Sequence, residues 1–312
     1  MNRAFAKIFL FLLIIVSLIL MVKKSVQENY SVQGQVNSNQ NETLKTTSLY
    51  FIGSSRVDMS IDKTIMDSAF TEHNFFKLGI TGSTFLGNSI IAEKIIKTTG
   101  HKIICMELSA LLNELPESVI QSSGSRTQAL KAALRITQEQ SIAEKSMMLM
   151  DILNQQFFSA ASIKGDIIKL FAKMQNVKVE QERKEFDPHK KNNLKDNSSF
   201  LKYTDLSQSI VRADNLIKYK QIIEYLNRLA ERHHAELIFF LPLTYNKQSE
   251  RDIVLSVFNQ LPASMKLGYT NHFLQEISKP EYLYDKNHLN KEGAITNSRL
   301  LIPLLKNHPE IR

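Results

Sequence analysis

The chain has 312 residues, of which 43% are hydrophobic, enough for one large domain or two small ones. Its formal net charge of +8 is moderate, and the basic residues form no stripe with interleaved aromatic side chains, which argues against nucleic-acid binding. The single cysteine, Cys105, excludes a disulfide within the chain and a zinc site built from thiolates. It lies in the apolar run Lys-Ile-Ile-Cys-Met, which predicts a buried strand.

The N-terminal residues 1–24 predict a membrane anchor. An apolar run over residues 8–22, broken by one serine, lies between pairs of basic residues, which are Arg3, Lys7, Lys23 and Lys24. The run is shorter than the about 20 residues of an ordinary membrane-spanning helix and resembles the core of a signal peptide. Because neither a small-x-small cleavage pattern nor a cysteine for lipid attachment follows it, we favour an uncleaved signal-anchor over a cleaved signal or a buried core helix. Both membrane-targeting alternatives place the rest of the chain outside the cytoplasm, in agreement with the basic residues ahead of the run.

Beyond the anchor, the pattern predicts a tether and then a folded domain. Residues 25–46 are rich in Gln, Asn, Ser and Thr, which predicts a flexible tether, and residues 47–312 predict the domain. The predicted strands cover residues 49–52, 75–80, 103–106 and 236–241, and the predicted helices cover residues 57–70, 86–99, 222–233 and 294–305. Strands that alternate with helices indicate an α/β fold with a parallel sheet covered on both faces, and sites in such sheets lie at the carboxyl ends of the strands.

Residues 112–215 depart from this alternation. Their content of Ala, Leu, Met, Gln, Lys and Glu and their apolar spacing predict a helical insertion between the third and fourth strands. A stripe of large apolar side chains within it is formed by Met147, Met148, Met150, Phe157 and Phe158. We interpret the stripe as packing, with a lid over the site or a membrane-facing surface as the alternatives.

A serine stands where the first strand ends. In the run Gly53-Ser54-Ser55-Arg56, the turn into the following helix would expose Ser55 at the carboxyl edge of the sheet. The helix N-terminus offers free backbone N–H groups and a partial positive charge, and both favour a developing alkoxide. The alternative is that Ser54 and Ser55 are turn and N-cap residues.

A loop with two glycines follows the second strand, in the run Gly79-Ile80-Thr81-Gly82. The glycines allow the backbone to approach a ligand closely, and the Gly82 N–H could donate to an oxyanion beside Ser55. The phosphate-binding pattern Gly-x-x-x-x-Gly-Lys is absent. A simple strand-to-helix turn is the alternative.

An acidic residue and a histidine lie three positions apart before the last helix. At this spacing the side chains of Asp285 and His288 can point to the same side of a loop or a first helical turn. Histidine can accept a proton near neutral pH and suits a general base, and Asp285 would orient its ring. A solvated loop with a helix cap is the alternative, while a metal site lacks a third ligand nearby.

In combination, these three blocks resemble the SGNH/GDSL hydrolase superfamily. The most specific block is the run Asp-x-x-His-Leu-Asn-x-x-Gly-Ala that starts at Asp285. The resemblance is to the membrane-anchored cell-envelope branch, whose first block reads Gly-Ser-Ser and which includes the D-alanyl transfer protein and the alginate and peptidoglycan O-acetyltransferases. It covers residues 47–110 and 220–305, and it implies a three-layer α/β/α, flavodoxin-like fold with a parallel sheet.

The resemblance also implies the roles of individual residues. Ser55 would be the nucleophile, His288 the base and Asp285 the residue that orients it, while the backbone N–H groups of Ser55 and Gly82 would stabilise the oxyanion. The implied protein is an extracytoplasmic serine esterase or O-acyltransferase that acts on acyl esters, with a cell-envelope polysaccharide as the expected substrate and a membrane acyltransferase as an expected partner. No metal and no cofactor is implied.

One block departs from the family pattern. The family has Gly-x-Asn-Asp after the third strand, and its Asn is a further oxyanion donor, whereas this chain has Met-Glu-Leu-Ser at 106–109. A carboxylate at Glu107 would repel an oxyanion, and the loss of one such donor costs about 2.7–4 kcal/mol of transition-state stabilisation. The replacement donors that the sequence offers are Ser109, Asn88 and Arg56. Arg56 could instead hold a substrate carboxylate or pair with Glu107.

This departure leaves a second hypothesis from another class, a catalytically silent relative that binds polysaccharide or scaffolds an envelope complex. The retention of Ser55, His288 and Asp285 argues against it, because a silent site has no reason to keep all three. A helical partner-binding module built on residues 112–215 is compatible with either hypothesis.

Overall fold

The computed structural model describes residues 47–113, 115–153, 196–207 and 213–311. The predicted anchor and tether, residues 1–46, lie outside the described residues, and so does the part of the predicted insertion at 154–195 and 208–212. Within the described part of the chain, no helix combines the length and the apolar character that crossing a membrane requires.

Four strands of the described residues form a parallel sheet in the order β2–β1–β3–β4. They are β1 (Thr47–Ser54), β2 (His73–Ile80), β3 (His101–Glu107) and β4 (Ala235–Phe240). All four predicted strands are confirmed within a few residues at their ends. Because the strands are parallel, their carboxyl ends lie at one edge of the sheet, where β1 and β2 finish side by side at Ser54 and Ile80.

Ten helices of the described residues lie between these strands or after the last of them. They are α1 (Ser55–Ser60), α2 (Lys63–Ala69), α3 (Phe85–Ile96), α4 (Glu117–Ser123), α5 (Arg126–Ile136), α6 (Ile142–Leu153), α7 (Ala213–Arg232), α8 (Gln248–Gln260), α9 (Asn271–Ile277) and α10 (Lys291–Lys306). Short 3-10 turns occur at Tyr203–Ser207, Ala263–Met265 and Pro280–Tyr282. The predicted helices at 86–99, 222–233 and 294–305 are confirmed as α3, the second half of α7, and α10.

The predicted continuous helix at 57–70 is wrong, because the chain breaks between α1 and α2. Asp62 caps the second helix, since its Oδ1 accepts from the Ile65 N–H at 3.0 Å. The Asp62 N–H in turn donates to Ser298 Oγ on α10 at 2.8 Å. Asn297 Nδ2 donates to the Ser60 carbonyl at 2.7 Å, so α10 holds both sides of the break.

The helices fall into two contacting groups. One group, α1, α2, α9 and α10, packs together, with α1 and α2 against β2. The other group, α3, α4, α5 and α7, also packs together, with α3 against β1 and β3 and α7 against β4. This arrangement is an α/β fold compatible with three layers, with the sheet between two helical layers.

Strands β3 and β4 contribute a continuous set of apolar side chains to the core. Ile104, Cys105 and Met106 of β3 and Ile238 and Phe239 of β4 are all fully buried. Continuous apolar burial of this kind is typical of parallel strands that are covered on both faces. The prediction that Cys105 is a buried strand residue is therefore confirmed.

The described part of the predicted insertion is helical and continuous with the core. Helices α4 and α5 pack against α3, and Met148 and Ile152 of α6 are buried. Met147 and Met150 on the same helix are exposed, so the predicted stripe packs only in part. The stripe's Phe157 and Phe158 lie outside the described residues. Residues 199–201 lie against the loop after β4, where Leu201 N–H donates to the Leu243 carbonyl at 2.8 Å.

Candidate active site

Three side chains from opposite ends of the domain form a hydrogen-bonded chain at the carboxyl edge of the sheet. Ser55 Oγ lies 2.8 Å from His288 Nε2, although the two residues are 233 positions apart. His288 Nδ1 lies 2.9 Å from both carboxylate oxygens of Asp285. A carboxylate only accepts hydrogen bonds, so Nδ1 carries the proton and Nε2 is left to accept from the Ser55 hydroxyl. The structure therefore brings together all three residues predicted for a catalytic triad.

The turn that carries Ser55 is held by its neighbour Ser54. Ser54 is the N-cap of α1, and its Oγ accepts from the Arg56 N–H at 3.2 Å. The Ser54 N–H donates to Glu107 Oε2 at 2.9 Å, and Ser54 Oγ donates to the same carboxylate at 3.1 Å. Ser54 therefore takes the capping role, and Ser55, the first residue of α1, is left half-buried with its hydroxyl directed at His288.

The loop that carries Asp285 and His288 is fixed by its own backbone. Asp285 Oδ1 accepts from the N–H groups of Asn287 at 2.7 Å and His288 at 2.9 Å. The Tyr284 N–H donates to the His288 carbonyl at 2.8 Å, which closes the loop from the other side. The carboxylate thus both holds the loop and faces the histidine ring, which explains why the two residues need a spacing of three.

The residues after His288 attach this loop to the start of α10. Asn290 is the N-cap of α10, and its Oδ1 accepts from the Gly293 N–H at 2.9 Å. Asn290 Nδ2 donates to the Glu281 carbonyl at 2.6 Å. A Cβ on Gly293 would lie 2.6 Å from the Tyr282 carbonyl oxygen, so only glycine fits there. The Leu-Asn-x-x-Gly part of the motif therefore acts as a clamp that positions the base.

Gly82 lies two residues after the end of β2, the strand that pairs with β1. It is exposed and has φ +73°, a left-handed conformation that favours glycine. In the described part of the chain its N–H has no backbone acceptor. Because Ser54 and Ile80 are paired in the sheet, Ser55 and Gly82 both leave the same edge from adjacent strands. This placement is compatible with the predicted role of Gly82 as an oxyanion donor.

Glu107 lies beneath the turn rather than facing a bound substrate. Its side chain is fully buried, and it accepts from Ser54 and from Arg56 Nε at 2.9 Å. Arg56 Nη2 lies 2.7 Å from Glu107 Oε1 and 2.9 Å from Glu250 Oε1. Burial disfavours the charge on Arg56, but Glu107 and Glu250 outweigh it and raise the pKa of the guanidinium. The expectation that Glu107 would repel an oxyanion therefore has to be corrected, because Arg56 pairs with its charge inside the protein.

The same contacts decide between the alternatives for Arg56. Its Nη1 donates to the Thr244 carbonyl at 3.1 Å, and its remaining nitrogens face Glu107 and Glu250. The guanidinium carbon also lies 5.8 Å from the centre of the Tyr245 ring. Arg56 is thus committed to an internal ion pair, and the alternative in which it holds a substrate carboxylate is not supported.

Asn88 and Ser109, the other proposed oxyanion donors, lie inside the core. Asn88 is fully buried, and its Nδ2 donates to the Glu107 carbonyl at 3.4 Å and to Ser109 Oγ at 3.3 Å. Its Oδ1 accepts from Ser83 Oγ at 2.6 Å. Ser109 is 2% exposed. Both side chains connect α3 to the loop after β3 and present no donor to a bound substrate.

Sequence reasoning missed Thr244 and Glu250, which support the site from the β4 side. Thr244 Oγ1 donates to the Asn287 carbonyl at 2.7 Å, within the loop that carries Asp285 and His288. Glu250 lies in the first turn of α8 and pairs with Arg56. The signal that could have indicated Thr244 is its position three residues after the end of the strongest predicted strand, at the edge of the sheet where sites form.

A small cavity of about 20 Å³ lies behind this assembly. Its walls include Arg56, Thr244 and Asn287 but neither Ser55 nor His288. We therefore assign it to the packing behind these three residues.

The described residues offer neither a cluster of metal ligands nor an accessible thiol. None of their His, Cys, Asp and Glu side chains form a group of three or more able to hold a metal ion. Cys105 is fully buried, and burial raises the pKa of its thiol, which disfavours the reactive thiolate. At this edge of the sheet, Ser55 is the side chain whose hydroxyl lies within hydrogen-bonding distance of a histidine ring.

Comparisons with known proteins give no independent assignment. Neither the models of known protein families, nor the curated proteins, nor the solved structures contain a match to this chain. The arrangement of Ser55, His288 and Asp285 at the carboxyl edge of an α/β sheet is accordingly the observation on which any function must be based.

Proposed function

We propose that the chain is a serine esterase or O-acyltransferase of the SGNH/GDSL type. The observation that carries this proposal is the hydrogen-bonded series from Ser55 Oγ through His288 to Asp285. A nucleophile, a base within hydrogen-bonding distance of it and a third group that orients the base are the parts that acyl transfer through a covalent intermediate requires.

The chemistry would proceed in two balanced steps. The Ser55 oxygen attacks the carbonyl carbon of an acyl ester while His288 Nε2 takes its proton, and the resulting tetrahedral species expels the alcohol, which receives that proton from His288. In the second step a water or a sugar hydroxyl gives its proton to His288 and attacks the acyl-serine, and Ser55 is regenerated with the proton returned. Asp285 accepts a hydrogen bond from the ring throughout and stabilises the imidazolium.

The negative charge of the tetrahedral species would be stabilised by backbone N–H groups. As the first residue of α1, Ser55 has no acceptor for its N–H within the helix, and the Gly82 N–H leaves the adjacent strand. With Asn88 and Ser109 buried, these two donors carry the oxyanion. Two donors suffice for a functioning oxyanion hole in the serine protease pattern.

The order β2–β1–β3–β4 supports the family assignment, because it matches the first four strands of the flavodoxin-like order 2-1-3-4-5. The positions of Ser55, Gly82 and the Asp285–His288 pair after β1, after β2 and before the last helix support it as well. Transfer to a cell-envelope polysaccharide, outside the cytoplasm and together with a membrane acyltransferase, remains the preferred context on the strength of the sequence resemblance and the predicted anchor.

A fluorophosphonate probe tests the proposal directly, because it reacts covalently with activated serines. The 312-residue chain in detergent should be labelled, while Ser55→Ala and His288→Ala should not. Ser68→Ala, on the exposed surface of α2, and His101→Ala, at the opposite edge of the sheet, are matched controls that should be labelled like the wild type. Circular dichroism confirms that each variant is folded.

The outcome also separates the two classes of function. Labelling that disappears only in the Ser55 and His288 variants would establish an activated serine. A folded wild-type chain that resists the probe would contradict the proposal and favour the silent relative that binds polysaccharide or scaffolds an envelope complex.

A further inference from the structure

The Ser55 turn and the His288 loop are connected by buried and partly buried hydrogen bonds that do not pass through the triad. The path starts at Ser54, runs through Glu107 and Arg56 to the Thr244 backbone, and continues from the Thr244 side chain to Asn287. We propose that Thr244, together with the Arg56–Glu107 ion pair, positions the nucleophile and the base relative to each other. This inference rests on the proposed function for its effect on catalysis.

The first part of the path fixes the nucleophile turn. Both carboxylate oxygens of Glu107 receive donors from Ser54, namely its N–H and its hydroxyl. Glu107 ends β3, a central strand of the sheet, and it is fully buried. The residue that precedes the nucleophile is therefore bonded to the buried end of a central strand.

The second part depends on the shape of the Arg56 side chain. Nε and Nη2 face Glu107, Nη2 also faces Glu250, and Nη1 reaches the Thr244 carbonyl. A planar guanidinium can donate hydrogen bonds to these three partners at once, because its N–H groups point in different directions. The ammonium of lysine is a single point of charge and could not reach all three. Arg56 is also the group that compensates the buried charge of Glu107, and without it that charge would lie directly beneath the site where an oxyanion forms.

The third part reaches the base. Thr244 is 2% exposed, its carbonyl accepts from Arg56 and its hydroxyl donates to the Asn287 carbonyl at 2.7 Å. Asn287 is the residue before His288, and its own N–H is bound to Asp285. The hydroxyl of Thr244 thus fixes the position of the loop that carries His288, and with it the distance between the imidazole and Ser55.

Thr244→Val isolates this link, because it removes the hydroxyl, keeps the branched shape and leaves the backbone carbonyl for Arg56. A small displacement of catalytic groups can cost up to 10²-fold, so we expect kcat and the rate of fluorophosphonate labelling to fall roughly ten- to a hundredfold, with KM little changed. Thr244→Ser restores a hydroxyl and should recover most of the rate. Thr137→Val is the matched control, since Thr137 is equally buried but bonds to Ala133 in α5.

Amide hydrogen exchange provides a readout that does not depend on activity. In Thr244→Val, exchange of the segment 283–289 should become about two- to tenfold faster, the factor expected for the loss of one hydrogen bond, and the Thr137→Val chain should not show this change. Equal labelling rates and equal exchange in the wild type and Thr244→Val would overturn the proposal. If the wild type is not labelled at all, the proposed function fails, and the exchange of 283–289 alone then decides whether Thr244 positions the loop.

Discussion

A Cβ atom on Gly53 would lie 2.4 Å from the Oε2 atom of Glu107. It would also lie 2.2 Å from a methyl group of Val57, so no side chain fits between the end of β1, the start of α1 and the buried carboxylate. The glycine before Ser54 is therefore required by the packing of Glu107 against the turn, and not by an unusual backbone conformation.

The substitution Gly53→Ala should consequently harm both stability and activity. Overpacking of this kind costs about 1–3 kcal/mol in stability, and relief of the clash would displace Glu107 from Ser54. We expect a lower Tm and a clearly slower fluorophosphonate labelling of Ser55. Gly268→Ala is the control, because a Cβ at that position meets nothing within 4 Å. Equal Tm values for the two variants would contradict the packing argument.

Asp285→Asn should distinguish the two roles of this carboxylate, which are to hold the loop that carries His288 and to orient the histidine ring. The amide oxygen can still accept from the Asn287 N–H, so the loop should keep its fold, but the amide cannot hold the imidazolium. In a triad, this change selects the wrong histidine tautomer and lowers kcat by roughly 10⁴-fold. Steady-state hydrolysis of a chromogenic ester measures the loss.

Asp196→Asn is a suitable comparison for that experiment. Asp196 also accepts from a backbone N–H two residues later, at 2.8 Å from Ser198, but it is exposed and outside the triad. Its variant should keep wild-type activity. Activity within threefold of the wild type in Asp285→Asn would show that this carboxylate does not orient the base.

His308 should make the domain less stable in mild acid. Burial lowers the pKa of its ring, and the nearby Glu310 opposes this only in part. The unfolded chain then binds more protons than the folded one between the lowered pKa and the ordinary value of about 6.5, so stability falls as the pH decreases through that window. Urea unfolding at pH 7.5 and at pH 5.5 measures the effect.

Replacement of His308 should weaken this pH dependence. His308→Gln keeps an acceptor for the Glu310 N–H, which donates to the ring at 3.3 Å, but removes the titrating group. An equally steep loss of stability in His308→Gln and in the wild type would assign the effect to other residues.

Cys105 should be inert towards maleimide in the folded protein. The thiol is fully buried in β3 and burial raises its pKa, so both access and thiolate formation are suppressed. We expect complete modification in denaturant and essentially none under native conditions, as measured by mass spectrometry. Ser68→Cys places a second thiol on the exposed surface of α2 and should react at once. Rapid native modification of Cys105 would contradict its burial.

Much of the site was predictable because its signals are local. Ser55 follows an apolar strand, and the spacing of Asp285 and His288 reflects one loop that is held by its own backbone. The burial of β3 and β4 also follows from continuous apolar runs. These features depend on neighbours in sequence or on the general behaviour of parallel sheets, and so they can be read without a structure.

The wrong predictions concern the directions in which side chains point, which depend on tertiary packing. Arg56 stands next to Ser55 in sequence, but on α1 it points inward to Glu107. Asn88 lies on the face of α3 that meets the loop after β3, where its donors are already used. The role of Glu107 depends on the pairing of residues 51 to 53 positions apart, which no local pattern reveals.

The distance of 233 positions between Ser55 and His288 has a consequence for biosynthesis. At the usual synthesis rate of about 5–20 residues per second, roughly 10–50 s pass between the emergence of the serine and that of its base. The serine therefore cannot be activated on the nascent chain during this interval, and any acyl transfer begins only after the loop before the last helix has docked.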